Sequence, residues 1–213
     1  MILRTLTATA FVFAAAAASA QDASAQDASM SFFVTSGNPG SGGNFGGIAG
    51  ADAHCAALAE AAGAGGATWR AYLSTGTENA RDRIGAGPWV NAAGTTIAES
   101  VDALHGDQNN LTKETALNEK GEVVNGRGDD PNRHDILTGS MPDGTVAAGQ
   151  TCEDWTSDAA ETVGMVGHHD RMGLDDSAPA KSWNSSHGSR GGCGLDALRG
   201  TGGDGLLYCF AAN

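Results

Sequence analysis

Aromatic residues are scarce in this chain, 6% of 213 positions, while glycine takes 32 of them. So few large side chains cannot fill a broad core, and much of the backbone must run as loop. Basic residues are scarce too: 12 Lys and Arg stand against 25 Asp and Glu, for a formal net charge of −13. That imbalance excludes polyanions as partners, so neither nucleic acid nor an anionic membrane surface is expected. A spanning apolar run is lacking, because the one strongly apolar stretch, Thr5 to Ala17, is shorter than the roughly 20 residues a bilayer helix needs. Also missing are a Cys-x-x-Cys pair, a Gly-x-Ser-x-Gly elbow, a His-Glu-x-x-His helix and a phosphate-binding glycine pattern. Redox dithiol chemistry, elbow-type nucleophiles and metalloprotease helices therefore have no local signature, and the chain reads as a non-enzyme.

What is present begins with an export signal. Met1 to Arg4 supplies a positive start, Thr5 to Ala17 an apolar core, and Ala18-Ser19-Ala20 a small-x-small cleavage site. Residues 1–20 are thus expected to be a signal peptide, and no cysteine follows the cut that a lipid could modify. Residues 21–30, in which Gln21-Asp22-Ala23-Ser24 recurs as Gln26-Asp27-Ala28-Ser29, read as a disordered linker. Residues 31–213 have the size of one domain, exported to the periplasm or the medium. Four cysteines, Cys55, Cys152, Cys193 and Cys209, in an exported chain imply a disulfide framework. Spacing alone leaves three pairings open.

Local patterns predict a mixed domain. Ser31 to Thr35 reads as a strand. From Ala51 a helix carries Cys55, Leu58, Ala59 and Ala62 on one face, with Asp52 in its first turn and Gly63 as its stop. Trp69 to Ser74 alternates like a half-buried strand, and Thr77 caps a short helix to Ile84. A further short helix spans Ser100 to Leu104. Glu119 to Glu122 forms a hairpin turn, and short strands recur near Ile136, Met165, Trp183 and Leu206 to Phe210. This order is α+β.

Several segments resemble the endostatin-type domain of collagens, a member of the C-type-lectin-like fold. They are Ala51-Asp52-Ala53-His54-Cys55, Thr68-Trp69-Arg70-Ala71-Tyr72-Leu73-Ser74, Pro88-Trp89-Val90-Asn91, Gly139-Ser140-Met141-Pro142-Asp143-Gly144, Cys152-Glu153-Asp154-Trp155 and Leu206-Leu207-Tyr208-Cys209-Phe210. The chain is also similar to bacterial secreted domains of unknown function. The resemblance implies an α+β, C-type-lectin-like (endostatin-like) domain with short helices, a mixed, mostly antiparallel sheet and long loops. It also implies pairing of Cys55 with Cys209 and of Cys152 with Cys193, and a cis bond before Pro142.

Many lectins of that fold chelate sugar through calcium, using an acid or amide beside a Pro loop and a Trp-Asn-Asp strand. Here the loop reads Met141-Pro142-Asp143 and the strand Trp183-Asn184-Ser185. A methionine and a serine replace two oxygen-rich ligands, which argues against the usual calcium site. Zinc is the other cation the residues suggest: His168, His169 and Asp170 are ligand types in a row, with His187 in the same half. Yet neighbouring strand histidines point to opposite faces, so a site needs help from distant residues such as His134 or Asp175. The expectation is therefore no cofactor, calcium and zinc being the two candidates. The expected function is non-catalytic recognition of a glycan, with Asp143, Asn184, Ser185 and His187 meeting the ligand in the long-loop region. A protein-interaction module without a sugar site is the second reading and a metal-dependent hydrolase the third.

Overall fold

A computed structural model describes residues 29–213, together with residue 1. The expected signal peptide and residues 21–28 of the expected linker lie outside the described residues apart from residue 1. In chain order the elements are β1 (Phe32–Val34), α1 (Ile48–Ala61), β2 (Trp69–Ala71), α2 (Ala80–Arg83), β3 (Trp89–Val90), β4 (Thr96–Ala98), α3 (Val101–His105), β5 (Asp135–Leu137), α4 (Cys152–Trp155), β6 (Met165–His168), β7 (His187–Gly188), α5 (Leu195–Arg199) and β8 (Gly203–Ala211). The mixture is α+β, with long connections between short elements.

β8 is the spine of the main sheet. Its C-terminal half pairs antiparallel with β1 (Phe33 opposite Cys209) and β2 (Ala71 opposite Cys209), and its N-terminal half pairs parallel with β5. The sheet then continues antiparallel through β6 to β7. Alternation along β8 divides the core. Leu207 and Cys209 join Phe33, Trp69, Leu137 and Val166 in the cluster that receives Cys55 and Ala59 of α1. Leu206, Tyr208 and Phe210 join Phe32, Tyr72, Trp89 and Trp183 on the other face. A strand buried on both faces by so few aromatic residues concentrates most of the domain's large side chains around itself.

Two disulfides secure this arrangement, Cys55–Cys209 between α1 and β8 and Cys152–Cys193 across the long-loop region. They span sequence separations of 154 and 41 residues, for which the loop-closure relation gives about 5 and about 4 kcal/mol of stabilisation. These are the pairs the resemblance implies, and they suit an oxidising compartment. Among the described residues no helix is long and apolar enough to cross a membrane.

Several local expectations shift. α1 begins at Ile48, after Gly47 (φ 86°) has turned the chain, three residues before the predicted start. Asp52 is consequently not a first-turn dipole partner. It is buried, accepts the Ala71 N–H (2.9 Å), and pairs with Arg83 (2.6 Å) and Arg70 (2.7 Å). α2 covers only Ala80–Arg83, with Asn79 rather than Thr77 at its N-cap. α3 forms where a short helix is expected, and Ser100 caps it, its Oγ accepting from the Ala103 N–H. Trp183 is a core residue outside any strand, and the nearby strand is β7 instead. Cis peptide bonds precede Pro88 and Pro131 but not Pro142. Met30, placed by sequence at the end of the linker, is buried in the core.

The segment α4 is a left-handed turn: Cys152, Glu153, Asp154 and Trp155 have φ of 47°, 53°, 54° and 66°. Each such residue costs roughly 1–2 kcal/mol, and strong anchors hold the turn. Cys152 is disulfide-bonded, Trp155 Nε1–H donates to the Ser74 carbonyl (2.8 Å), and Thr151 Oγ1 accepts from the Asp154 N–H.

The buried Asp52–Arg83 pair generates a test. Asp52→Ala leaves the Arg83 guanidinium, whose side chain is 4% exposed, without its main counter-charge. A loss of about 3–5 kcal/mol is expected, read as a lower denaturation midpoint in urea, whereas Arg70→Ala, on the exposed side of the same carboxylate, should cost far less.

Candidate metal centre

Adjacent strands bring three histidines and one aspartate together. In the antiparallel β5–β6 pair Asp135 stands opposite His168, and in the β6–β7 pair His187 stands opposite Val166. Val166 and His168 are two residues apart, so both point to one face, and Asp135, His168 and His187 share that face across three strands. His134 breaks the alternation. It precedes β5, which begins at Asp135, so the strand's alternation does not govern it and its ring stays beside Asp135. Gly167, between these ligand strands, lies against the Trp183–Asn184 backbone so closely that a Cβ would come within 1.9 Å of the Trp183 carbonyl oxygen.

The ligand atoms converge. Asp135 Oδ1 lies 3.2 Å from His134 Nε2, 3.2 Å from His168 Nε2 and 3.7 Å from His187 Nε2. His168 Nε2 and His187 Nε2 are 3.2 Å apart. The rings of His134 and His168 stack, with centroids 4.2 Å apart. Asp135, His134 and His168 are buried, and the His187 side chain is 34% exposed.

Each ring's second nitrogen fixes its tautomer. His168 Nδ1 is 2.8 Å from the Ala180 carbonyl oxygen and His187 Nδ1 is 3.0 Å from that of Gly188. A carbonyl only accepts, so both Nδ1 atoms carry the proton and donate it. His134 Nδ1 faces the Asp170 carboxylate at 3.4 Å in the same sense. In the neutral rings, therefore, each of the three Nε2 lone pairs lies 3.2–3.7 Å from the Asp135 carboxylate oxygen, and those of His168 and His187 also face each other. Both Asp135 oxygens are buried with no hydrogen-bond donor from the protein. Lone pairs gathered in this way repel unless a proton or a cation lies among them.

The electrostatics of the surrounding groups follow from this packing. Burial works against charging His168, but the Asp135 carboxylate and the Ala180 carbonyl outweigh it and raise its pKa. Burial likewise opposes ionisation of Asp170, yet the His134 ring and the Arg127 and Met172 N–H groups hold its carboxyl far below the usual carboxylate range. Asp170 thus orients His134 with one oxygen and fixes the Arg127 backbone with the other, the supporting role a carboxylate takes behind a metal-bound histidine.

The residues singled out by sequence separate into two groups. His168 groups with Asp135 and the distant helper His134, their ligand atoms all within 4.8 Å of one another, and His187 joins at the edge through His168 Nε2, while Asp175 lies on the pocket wall above. Asp170 stands behind the cluster. His169 turns away: its Nε2–H donates to the Asn125 carbonyl (3.1 Å), and burial depresses its pKa. Asp135 was missed. Its signal was an acid opening the strand Asp135-Ile136-Leu137, a position that strand burial ordinarily gives to an apolar residue.

Asp143, Asn184 and Ser185 lie elsewhere. Asn184 is buried, and its amide N–H groups face Tyr72 Oη (3.0 Å) and the Met141 and Pro142 carbonyls (3.1 and 3.2 Å). Tyr72 in turn donates to His105 Nε2 (2.7 Å), because His105 Nδ1 is committed to the Val101 carbonyl. Asn184 therefore pins the Met141–Pro142 loop from beneath. Asp143 is exposed, and its Oδ1 accepts from the Thr145 hydroxyl and N–H, which lowers its pKa. Ser185 is buried beside Asn184, in the wall of a separate cleft.

Above the four-residue cluster lies a cavity of about 340 Å³ walled by His134, His168, His187, Arg127 and Arg190, with Leu174 at its rim. The family described as Protein of unknown function (DUF1554) matches residues 38–172, and the chain belongs to that family. No curated protein matches it.

Asp170 links this site to stability. Its pKa is depressed by folding, so its contribution is complete well above the unfolded value near 3.9 and is lost as pH falls through the folded value. Asp170→Asn is expected to lower stability at pH 7 by about 1.5–3 kcal/mol and to flatten the acid limb of the curve of melting temperature against pH. An unchanged acid limb would show that Asp170 does not carry this linkage.

Proposed function

We propose that this member of a family without an assigned function is an exported recognition domain of C-type-lectin-like fold, whose ligand site is built around a zinc-class metal ion. His134, Asp135, His168 and His187 hold the ion. The observation that carries this reading is the convergence of three Nε2 lone pairs on the buried, donor-free carboxylate of Asp135. Ligand atoms around a tetrahedral first-row cation, with bonds of about 2.0–2.1 Å, stand about 3.3–3.4 Å apart, close to the 3.2–3.7 Å from Asp135 Oδ1 to the three Nε2 atoms and the 3.2 Å from His168 Nε2 to that of His187. Imidazole with one carboxylate suits zinc, copper, nickel or iron and does not suit calcium, which prefers an all-oxygen shell.

The fold assignment is supported by the antiparallel pairing of the first and last strands, β1 and β8, by the α1–β8 disulfide, and by a long-loop region with its own disulfide. The cavity belongs to that long-loop region, where the sequence anticipates ligand contact, and His187 stands at its floor. Recognition fits better than hydrolysis. The carboxylate on the cavity wall that does not face the ion is Asp175, and hydrogen bonds from Ser177 lower its pKa, which makes it a weak general base.

Zinc titration of the mature protein, followed by calorimetry and by metal content after dialysis, tests the reading. One equivalent per chain is expected, with proton release near neutrality and weaker binding as acid protonates the rings. At a zinc concentration of about 100 times the dissociation constant, binding should add about 2.7 kcal/mol to stability. A His134→Ala/His168→Ala variant that retains as much zinc as the native protein would sink the proposal.

A further inference from the structure

We propose that the cavity over the metal centre takes an oxyanion group of a small ligand, gripped by Arg127 and Arg190 while one of its oxygens meets the metal ion. This inference rests on the metal reading above and adds the chemical class of what the site binds.

The first support is a charge anomaly. With 12 basic residues among 25 acidic ones, an arginine in this chain has every opportunity to find a carboxylate. Arg70, Arg81, Arg83, Lys113, Arg133, Lys181 and Arg199 all do so. Arg171 instead donates to the Leu111 and Lys181 carbonyls and to Asn109. Among the described residues the guanidinium groups of Arg127 and Arg190 form no ion pair and no side-chain hydrogen bond, and both line the cavity that His134, His168 and His187 floor. Lys120, the remaining unpaired cation of the described residues, faces a different cleft.

The second support is construction. Arg127 is held by its backbone N–H to Asp170 Oδ2 at 2.6 Å, while Asp170 Oδ1 faces His134 Nδ1. One buried carboxylate therefore sets both a metal ligand and an arginine at the cavity wall. Arg190 follows Ser189, whose N–H is pinned to the Gly164 carbonyl (2.8 Å), and lies three residues beyond His187. The arginines and the ligands thus share supports and keep their relative places.

The charges give the selectivity. A dication and two guanidiniums, set against Asp135, Asp170 and the rim acid Asp175, leave the metal-loaded cavity positive within a strongly acidic protein. A site of that sign focuses anions. Guanidinium forks match carboxylate and phosphoryl oxygens, and a metal ion takes the remaining oxygen. A neutral ligand of similar size gains neither contact. The exposed Leu174 at the rim offers an apolar surface to the body of the ligand.

The test uses the mature protein loaded with one equivalent of zinc and dialysed, titrated with inorganic phosphate, with glucuronate and with glucose as the neutral control. Retained zinc is measured on the same samples. Phosphate or glucuronate should bind to the zinc-loaded protein, glucose should not, and removal of zinc should abolish the binding. Arg127→Ala/Arg190→Ala should weaken anion binding by about tenfold or more with zinc stoichiometry unchanged. Tighter binding of phosphate assigns a phosphoryl ligand, and tighter binding of glucuronate a carboxylate one. Zinc retained without anion binding, or anion binding indifferent to the two arginines, overturns this inference and leaves the metal reading standing. A native protein that holds no zinc overturns both.

Discussion

Everything in this domain hangs on β8, a nine-residue strand buried along nearly its whole length. It is paired on both edges and packed on both faces, and the Cys55–Cys209 bond ties it to α1. A glycine-rich, aromatic-poor chain has little apolar surface with which to offset its conformational entropy. Gathering Phe32, Phe33, Tyr72, Trp89 and Trp183 around one strand, and removing the freest loops of the unfolded chain by cross-links, is how this composition supports one ordered core. The long loops are then affordable, and they carry the site.

The same sheet explains why the metal ligands meet. β5 reads its register from β8, β6 from β5, and β7 from β6, so the positions of Asp135, His168 and His187 follow from the spine through successive ladders. Strand-borne ligands are held more rigidly than loop-borne ones. Convergence of three imidazoles on a buried carboxylate is unfavourable without a positive charge among them, which is the physical basis for proposing a cation there. Above it, in a protein of formal net charge −13, Arg127 and Arg190 line the cavity while most of the other basic side chains are held in ion pairs.

Much of the architecture was legible. The period-two pattern of Trp69 to Ser74 marked a strand, the segment Leu206 to Phe210 was expected as another, the helical spacing of Cys55, Leu58 and Ala59 marked α1, and a short helix was expected from Ser100. Boundaries moved where tertiary contacts outweighed local signals: Asp52 left the role of a helix-dipole partner for a buried pair with Arg83, and the strand expected at Trp183 gave way to a core tryptophan. The rule that neighbouring strand residues face opposite ways correctly separated His168 from His169. It could not anticipate that His134 and Asp135 lie together, because His134 stands just before β5 and the rule applies only within a strand.

The sequence by itself determined the chemistry available: four cysteines, six histidines, a large excess of acids and two strand-forming segments rich enough to make a core. Those follow from residue type and short-range spacing, which are local properties. Only the tertiary structure decided which histidines are partners, since His134, His168 and His187 come from three different strand neighbourhoods separated by long loops. It likewise decided which arginines stay unpaired, and that Asn184 serves as a loop clamp. Register between strands is a long-range quantity, and a shift of one residue turns a ligand into a surface side chain.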